Sequence, residues 1–280
     1  MNRRQIGPEE AMTLAKKFAR QGEYAQAISL YQQILAGAPQ HKKARKALRA
    51  LQKAQGLSSP LESKQADFSR LLSLYQSGQR DQAMTEAKRL SRVHPEEPMP
   101  LNILGALLTD SGRYEEAVDC YHRALAIEPD YPDAINNLGA ALNKLRRHDE
   151  AIDCYRRLVA QEPEEPDTHF NLGNALAQAG RLEEAIESYA RSAELRPLYA
   201  NAHLQLGRAL KDTGEYAEAL TALQNVLKLE PGRSEAYEHI ADVYQDTARY
   251  DLALAWYRDA VKHGPHRAMA HYKLGSIPVS

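Results

Sequence analysis

Two cysteines, ten histidines and a recurring set of amide side chains are the parts of this 280-residue chain with chemistry to offer. Cys120 and His122 lie two residues apart. Neighbours at that spacing on a helix point to different sides, so the pair makes a poor metal site, and no metal or cofactor is expected. Gly-x-Gly-x-x-Gly, Gly-x-x-x-x-Gly-Lys-Ser/Thr, His-Glu-x-x-His, Cys-x-x-Cys and Gly-x-Ser-x-Gly are all missing from the sequence. No catalytic residue is assigned, and the chain reads as a non-enzyme. The amides suit binding instead. An Asn or Gln offers both donor and acceptor, so a row of them can pair with the main chain of an extended peptide whatever its side chains.

The elements that position these residues follow from a repeat. Pro95, Pro129, Pro163, Pro197, Pro231 and Pro265 succeed one another at intervals of 34 residues, as do Ala83, Ala117, Ala151, Ala185, Ala219 and Ala253. Gly105, Gly139, Gly173 and Gly207 keep the same step. Within one unit, Leu104, Leu107 and Leu108 share a helical face, and Ala117, Tyr121, Ala124 and Leu125 mark a second helix beyond Gly112. Gly112, Gly180 and Gly214 stand where a left-handed cap is needed, with Arg146 and Ala248 replacing that glycine elsewhere. The small residue at the Gly105 place lets two helices approach, and Tyr121, Tyr155, Tyr189 and Tyr257 are expected to fill the space between hairpins. Cys120 and Cys154 hold one repeat place on second helices roughly 8–10 Å apart, too far for a disulfide, so both are expected as packed thiols. His169, His203 and His271 share the place of Ile135 and Tyr237, which points to packing. Trp256, at the cysteine place, is expected to be a partly buried aromatic.

The period, with Asn-Leu-Gly, Gly-Arg-Tyr-Glu-Glu-Ala, Tyr-x-x-Ala-Leu and the closing proline, resembles the tetratricopeptide repeat family. The resemblance implies an all-α fold, a right-handed α-solenoid of helix-turn-helix repeats. Six contiguous units fill residues 64–267, and a partial repeat occupies 268–280. An earlier unit spans 8–41, with a basic capping helix at 42–54 that completes a segment 1–55, and 56–63 reads as a linker. The second unit is the weakest match, because Arg70 and Leu71 stand where Leu-Gly is usual.

Family geometry implies a concave groove lined by first helices, carrying here Asn136, Asn137, Asn143 and Lys144, then Asn171, Asn174 and Gln178, then Gln205, Arg208 and Lys211. Asn137, Asn171 and Gln205 resemble the asparagine ladder in the repeat arm of O-linked N-acetylglucosamine transferases. A dicarboxylate clamp of the chaperone type is rejected, because Asn102, Asn136, Asp167 and Phe170 occupy the places that would need Lys and Arg. The chain thus reads as a noncatalytic scaffold that binds an extended peptide or partner helix, with amides on the ligand main chain and Arg208, Lys144 and Lys211 selecting acidic side chains. Two rival readings stand beside it. One is the substrate-recruiting arm of a glycosyl-, sulfo- or methyltransferase whose catalytic domain lies outside this chain. The other is a structural homo-oligomer that associates through the C-terminal end, where a first helix lacks its second.

Thirty-six Lys plus Arg against 37 Asp plus Glu give a net charge of −1, so no nucleic-acid partner is expected. The balance hides a split: residues 1–63 hold 11 basic and 4 acidic side chains. Lys42, Lys43, Arg45, Lys46, Arg49 and Lys53 crowd one short helix and form a candidate patch for an anionic partner. No window is apolar enough to span a membrane and no signal peptide is read. Two cysteines without a disulfide framework fit a reducing, cytoplasmic location.

Overall fold

The computed structural model describes residues 7–54, 60–265 and 268–276. The described residues form sixteen helices and no strand, and the chain divides into two compact units, Met1–Glu86 and Ala87–Ser280. The division falls inside α5 (Arg80–Val93), within the repeat that carries Arg70 and Leu71.

In the first unit, α1 (Pro8–Arg20) and α2 (Tyr24–Gly37) form a hairpin that α3 (Lys42–Ala54) covers, and α4 (Pro60–Gln76) follows. The core is Ala11, Met12, Ala15, Ala27, Tyr31, Ile34 and Ala44, with Leu48 and Leu51 packed against it. Helix α3 therefore turns its apolar stripe inward and leaves Lys42, Lys43, Arg45, Lys46 and Arg49 exposed. Of the expected linker 56–63, residues 56–59 lie outside the described residues and 60–63 already belong to α4: Pro60 is well suited to a first helical turn, where its missing N–H costs nothing.

The second unit is a run of antiparallel hairpins, α6 (Met99–Asp110) with α7 (Tyr114–Ile127), α8 (Pro132–Lys144) with α9 (His148–Gln161), and α10 (Pro166–Gln178) with α11 (Leu182–Leu195). Then come α12 (Ala200–Thr213) with α13 (Tyr216–Leu229), α14 (Ser234–Asp246) with α15 (Tyr250–His263), and a lone α16 (Ala268–Ser276). Each second helix also packs on the first helix that follows, so every hairpin buries its apolar face against its neighbours. First helices of successive hairpins, α6 with α8, α8 with α10 and α12 with α14, also touch, and they form the inner row of this solenoid.

Four of the hairpins, α6–α7 to α12–α13, close on a contact between a glycine and a large side chain, and α14–α15 has Ala241 at that place. A β-carbon at Gly105, Gly139 or Gly173 would stand 2.5–2.8 Å from the ring of Tyr121, Tyr155 or Tyr189, and one at Gly207 would stand 2.6 Å from Leu223 Cγ. The tyrosines thus fill space within hairpins rather than between them, because the glycine opens a slot in the first helix of the same unit. At the turns, Gly112, Gly180 and Gly214 take φ of 74–87°, and Arg146 and Ala248 are driven to 61° and 59° at the same place. The histidines explain themselves here: Nε2 of His169, His203 and His271 donates to the carbonyl of Pro163, Pro197 and Pro265 at 2.9–3.0 Å, and the Tyr237 hydroxyl does the same for Pro231 at 2.9 Å. Trp256 is partly buried against Tyr237, with ring centroids 5.7 Å apart.

Gly173→Ala should lower the urea midpoint by the equivalent of about 1–3 kcal/mol, the usual cost of overpacking, whereas Gly232→Ala, with open space around it, should change little. Replacing Arg146 or Ala248 by Gly should raise stability by about 1 kcal/mol in the same measurement, since a left-handed backbone is strained for both.

Candidate functional site

The inner row carries amides that are ordered by one another. Asn102 on α6 is buried, and its Nδ2 donates to the Tyr131 hydroxyl at 3.4 Å. Its Oδ1 accepts from Nδ2 of Asn137 on α8 at 3.0 Å. One hairpin on, Asn136 Oδ1 accepts from Nδ2 of Asn171 on α10 at 3.1 Å. The link runs from one repeat place to the place just before it in the preceding hairpin, because adjacent positions on neighbouring helices lean toward each other. Each bonded amide keeps a second N–H and free lone pairs, so the row is oriented without being saturated.

The pattern stops at Phe170, which takes the place that Asn102 and Asn136 hold in earlier hairpins. Gln205 on α12 therefore meets no amide there, and Asn137, Asn171 and Gln205 do not bond to one another. Phe170 instead packs against Tyr189 and Tyr199 with tilted rings, at centroid distances of 5.9 and 5.1 Å. Arg196 lies over the Tyr199 ring and forms a two-pronged bridge to Asp167 at 2.9 and 3.0 Å. Asn174 accepts from the Tyr189 hydroxyl at 2.9 Å; burial pushes that phenol up to about 12, which keeps it a donor. Asn143 Oδ1 lies 3.3 Å from His148 Nδ1, while Gln178 and Lys144 are exposed at the ends of their helices. Asn102 and Phe170 were missed as participants in the row. The signal for both was present, since they share the repeat place of Asn136.

Charge is unevenly distributed along the row. Arg208 and Lys144 are exposed and have no ion pair among the described residues. Lys211 differs: its Nζ lies 2.8 Å from Asp212, and although burial works against its charge, Asp212, Asp242 and Asp246 hold its pKa above the usual value. Its charge is thus already balanced, which weakens its expected part in selecting acidic side chains. Helix α14 continues the row with Glu235, Glu238, Asp242 and Asp246. Asp242 is buried, which by itself would raise its pKa, yet the facing His239, Lys273 and Tyr257 hold it well below the carboxylate range. Lys273 Nζ and the Tyr257 hydroxyl donate to its Oδ1 at 2.5 Å, and His239 Nδ1 lies 3.7 Å from Oδ2, so this carboxylate ties α14, α15 and α16 together.

Cys120 is buried and Cys154 partly so, and both are free thiols. Burial raises the pKa of both, that of Cys154 to about 11, which leaves little thiolate at neutral pH. Among the described residues no three His, Cys, Asp or Glu side chains converge as a metal site, and no helix is long and apolar enough to cross a membrane. In the basic patch, Arg45 donates to the Pro39 carbonyl, and the side chain of Lys53 lies outside the described residues.

Family models described as tetratricopeptide repeat match residues 14–43, 136–200, 204–268 and 240–277, and one described as TPR repeat matches 105–145. The chain belongs to the tetratricopeptide repeat family. No curated protein matches the sequence. Among solved structures, PilF of Pseudomonas aeruginosa is similar with a TM-score of 0.64 at 18% identity, over 77% of this chain and 97% of its own. YrrB, described as a TPR protein with an unusual peptide-binding site, aligns with a TM-score of 0.58 at 22% identity, over 67% of this chain and 96% of its own. MamA from Desulfovibrio magneticus RS-1 aligns with a TM-score of 0.57 at 24% identity, over 61% of this chain and 96% of its own. At these identities the tetratricopeptide repeat structures share the fold.

Asp242 sets a pH dependence. Its folded pKa is depressed, so its contribution is full above the ordinary carboxylate range and is lost as pH falls below it. Between pH 6 and roughly pH 3, the wild-type urea midpoint should fall more steeply than that of Asp242→Asn. Native chain should also react slowly with a thiol reagent at pH 7, with two thiols released only on unfolding.

Proposed function

We propose that the second unit is a noncatalytic scaffold that holds an extended peptide of a partner protein along its inner row. The single observation behind this reading is the pair of amide links Asn137–Asn102 and Asn171–Asn136, which order neighbouring amide side chains along the first helices while leaving them further donors and acceptors. Asn136, Asn137, Asn171, Asn174 and Gln205 would engage the ligand main chain, so recognition would tolerate varied sequences. Phe170 gives an apolar side chain a place to rest, and Arg208, with Lys144 farther along, would favour a carboxylate on the ligand.

The test is recovery of partners by the tagged full chain from its own cells, compared with the Asn137, Asn171, Gln205 triple Ala variant at matched salt. Three lost hydrogen bonds at about 1 kcal/mol each predict roughly 100-fold weaker binding. Asn137 and Asn171 also bridge hairpins, so Gln205→Ala and Arg208→Glu serve as separate variants that leave those bridges intact. Recovery unchanged in all of them would end the proposal and move attention to the basic side of α3.

A further inference from the structure

Helix α3 breaks the charge pattern of the chain. Its thirteen residues hold six Lys or Arg and no acidic residue. Helices α9, α12 and α15 also carry two or more cations, yet each offsets them with at least one carboxylate. No offset comes from the neighbour either, since α2, on which α3 packs, has no charged residue. Lys42, Lys43 and Lys46 are exposed and have no ion pair among the described residues, and Arg45 and Arg49 are exposed beside them. Arg45 donates to the Pro39 carbonyl, which fixes its guanidinium without neutralising it.

This arrangement works against the helix. Lys42 and Lys46, like Arg45 and Arg49, are four residues apart, and Lys42 and Arg45, Lys43 and Lys46, and Lys46 and Arg49 are three apart, spacings at which like charges repel. Lys42 and Lys43 also stand in the first turn, where the helix dipole disfavours a cation. A face that met only water would be served better by mixed signs. Local rules broken without internal compensation mark residues kept for a function.

Lys42, Arg45, Lys46 and Arg49 lie within one arc of the helix and span about 10 Å along its axis. That length matches about four residues of an extended chain. The apolar stripe, Ala44, Leu48 and Leu51, is packed into the core of the first unit and leaves nothing to insert into a bilayer. The helix has no aromatic side chain on which a nucleic-acid base could stack. Residues 64–280 hold 25 basic and 33 acidic side chains, which repel a long polyanion or an anionic membrane more than a short peptide. We infer that the exposed face of α3 binds a short acidic segment of a partner protein, whose carboxylates pair with Lys42, Lys43, Arg45, Lys46 and Arg49. This face belongs to the first unit and works without the amide row of the second.

Fluorescence anisotropy of a labelled octa-Glu peptide titrated with the full chain tests it, beside a labelled single-stranded DNA of equal charge and vesicles of phosphatidylcholine and phosphatidylserine. Wild type should bind octa-Glu more tightly than either, and less tightly as salt rises. Lys42→Gln, Lys43→Gln and Lys46→Gln together should weaken that binding about ten-fold, the effect of losing three exposed ion pairs. The same triple variant should keep its helicity and raise the urea midpoint, because the charges it removes oppose the helix. A wild type that ignores octa-Glu, or a triple variant that binds it equally well, would overturn the inference. A lower urea midpoint would overturn it too, by giving the lysines to the fold, and tighter binding of DNA or vesicles would overturn it in favour of that partner.

Discussion

Four of the five hairpins of the second unit are each organised around a first helix that has given up a β-carbon so that a large side chain of its second helix can lie on the backbone; α14–α15 keeps Ala241 at that place. At Gly105, Gly139 and Gly173 that side chain is a tyrosine, and at Gly207 it is Leu223. The contact draws the two helices together along their whole length, and the remaining apolar positions then meet their partners as a consequence. Because it recurs every 34 residues, it sets the same helix separation in successive hairpins and allows them to stack in register. The tyrosine hydroxyls must find partners once the rings are buried. Tyr189 reaches through to Asn174 on the inner row, so there the packing contact also orients a polar side chain of the candidate site.

Stacking makes the inner row an addressable surface. Amides on successive first helices come close enough to bond, and Phe170 interrupts them where a ring replaces the amide. Beyond it the row turns cationic at Arg208 and acidic on α14, where Asp242 uses its charge internally to hold α16 through Lys273. The same regularity places Arg–carboxylate bridges at two successive junctions of the outer edge, Arg157–Asp130 and Arg191–Glu164.

Much of this was legible in the sequence. A proline that returns every 34 residues can end the same helix each time, and alternating bulk at Gly105 and Tyr121 leaves few ways to close a hairpin. The turn positions were legible as well, including the strained ones at Arg146 and Ala248, because the repeat itself shows what belongs there. The histidines could be read as structural from their equivalence to Ile135 and Tyr237, although the proline carbonyls that hold them could not be named. The amide partners were not legible. They lie 35 residues apart, one place off the repeat, and only the lean of neighbouring helices shows that Asn137 meets Asn102 rather than Ile103, its equivalent one repeat back.

The sequence by itself determined the repeat, its hairpins, their turns and the set of polar residues that any stacking would bring to one side, because these follow from local periodicity and from identical units meeting identical neighbours. The tertiary structure alone decided which amides bond, that Lys211 is neutralised by Asp212 and its acidic surroundings, and that an apolar recess opens between α11 and α13. Those outcomes depend on distances between side chains of different hairpins, and a periodicity of one dimension carries no information about them.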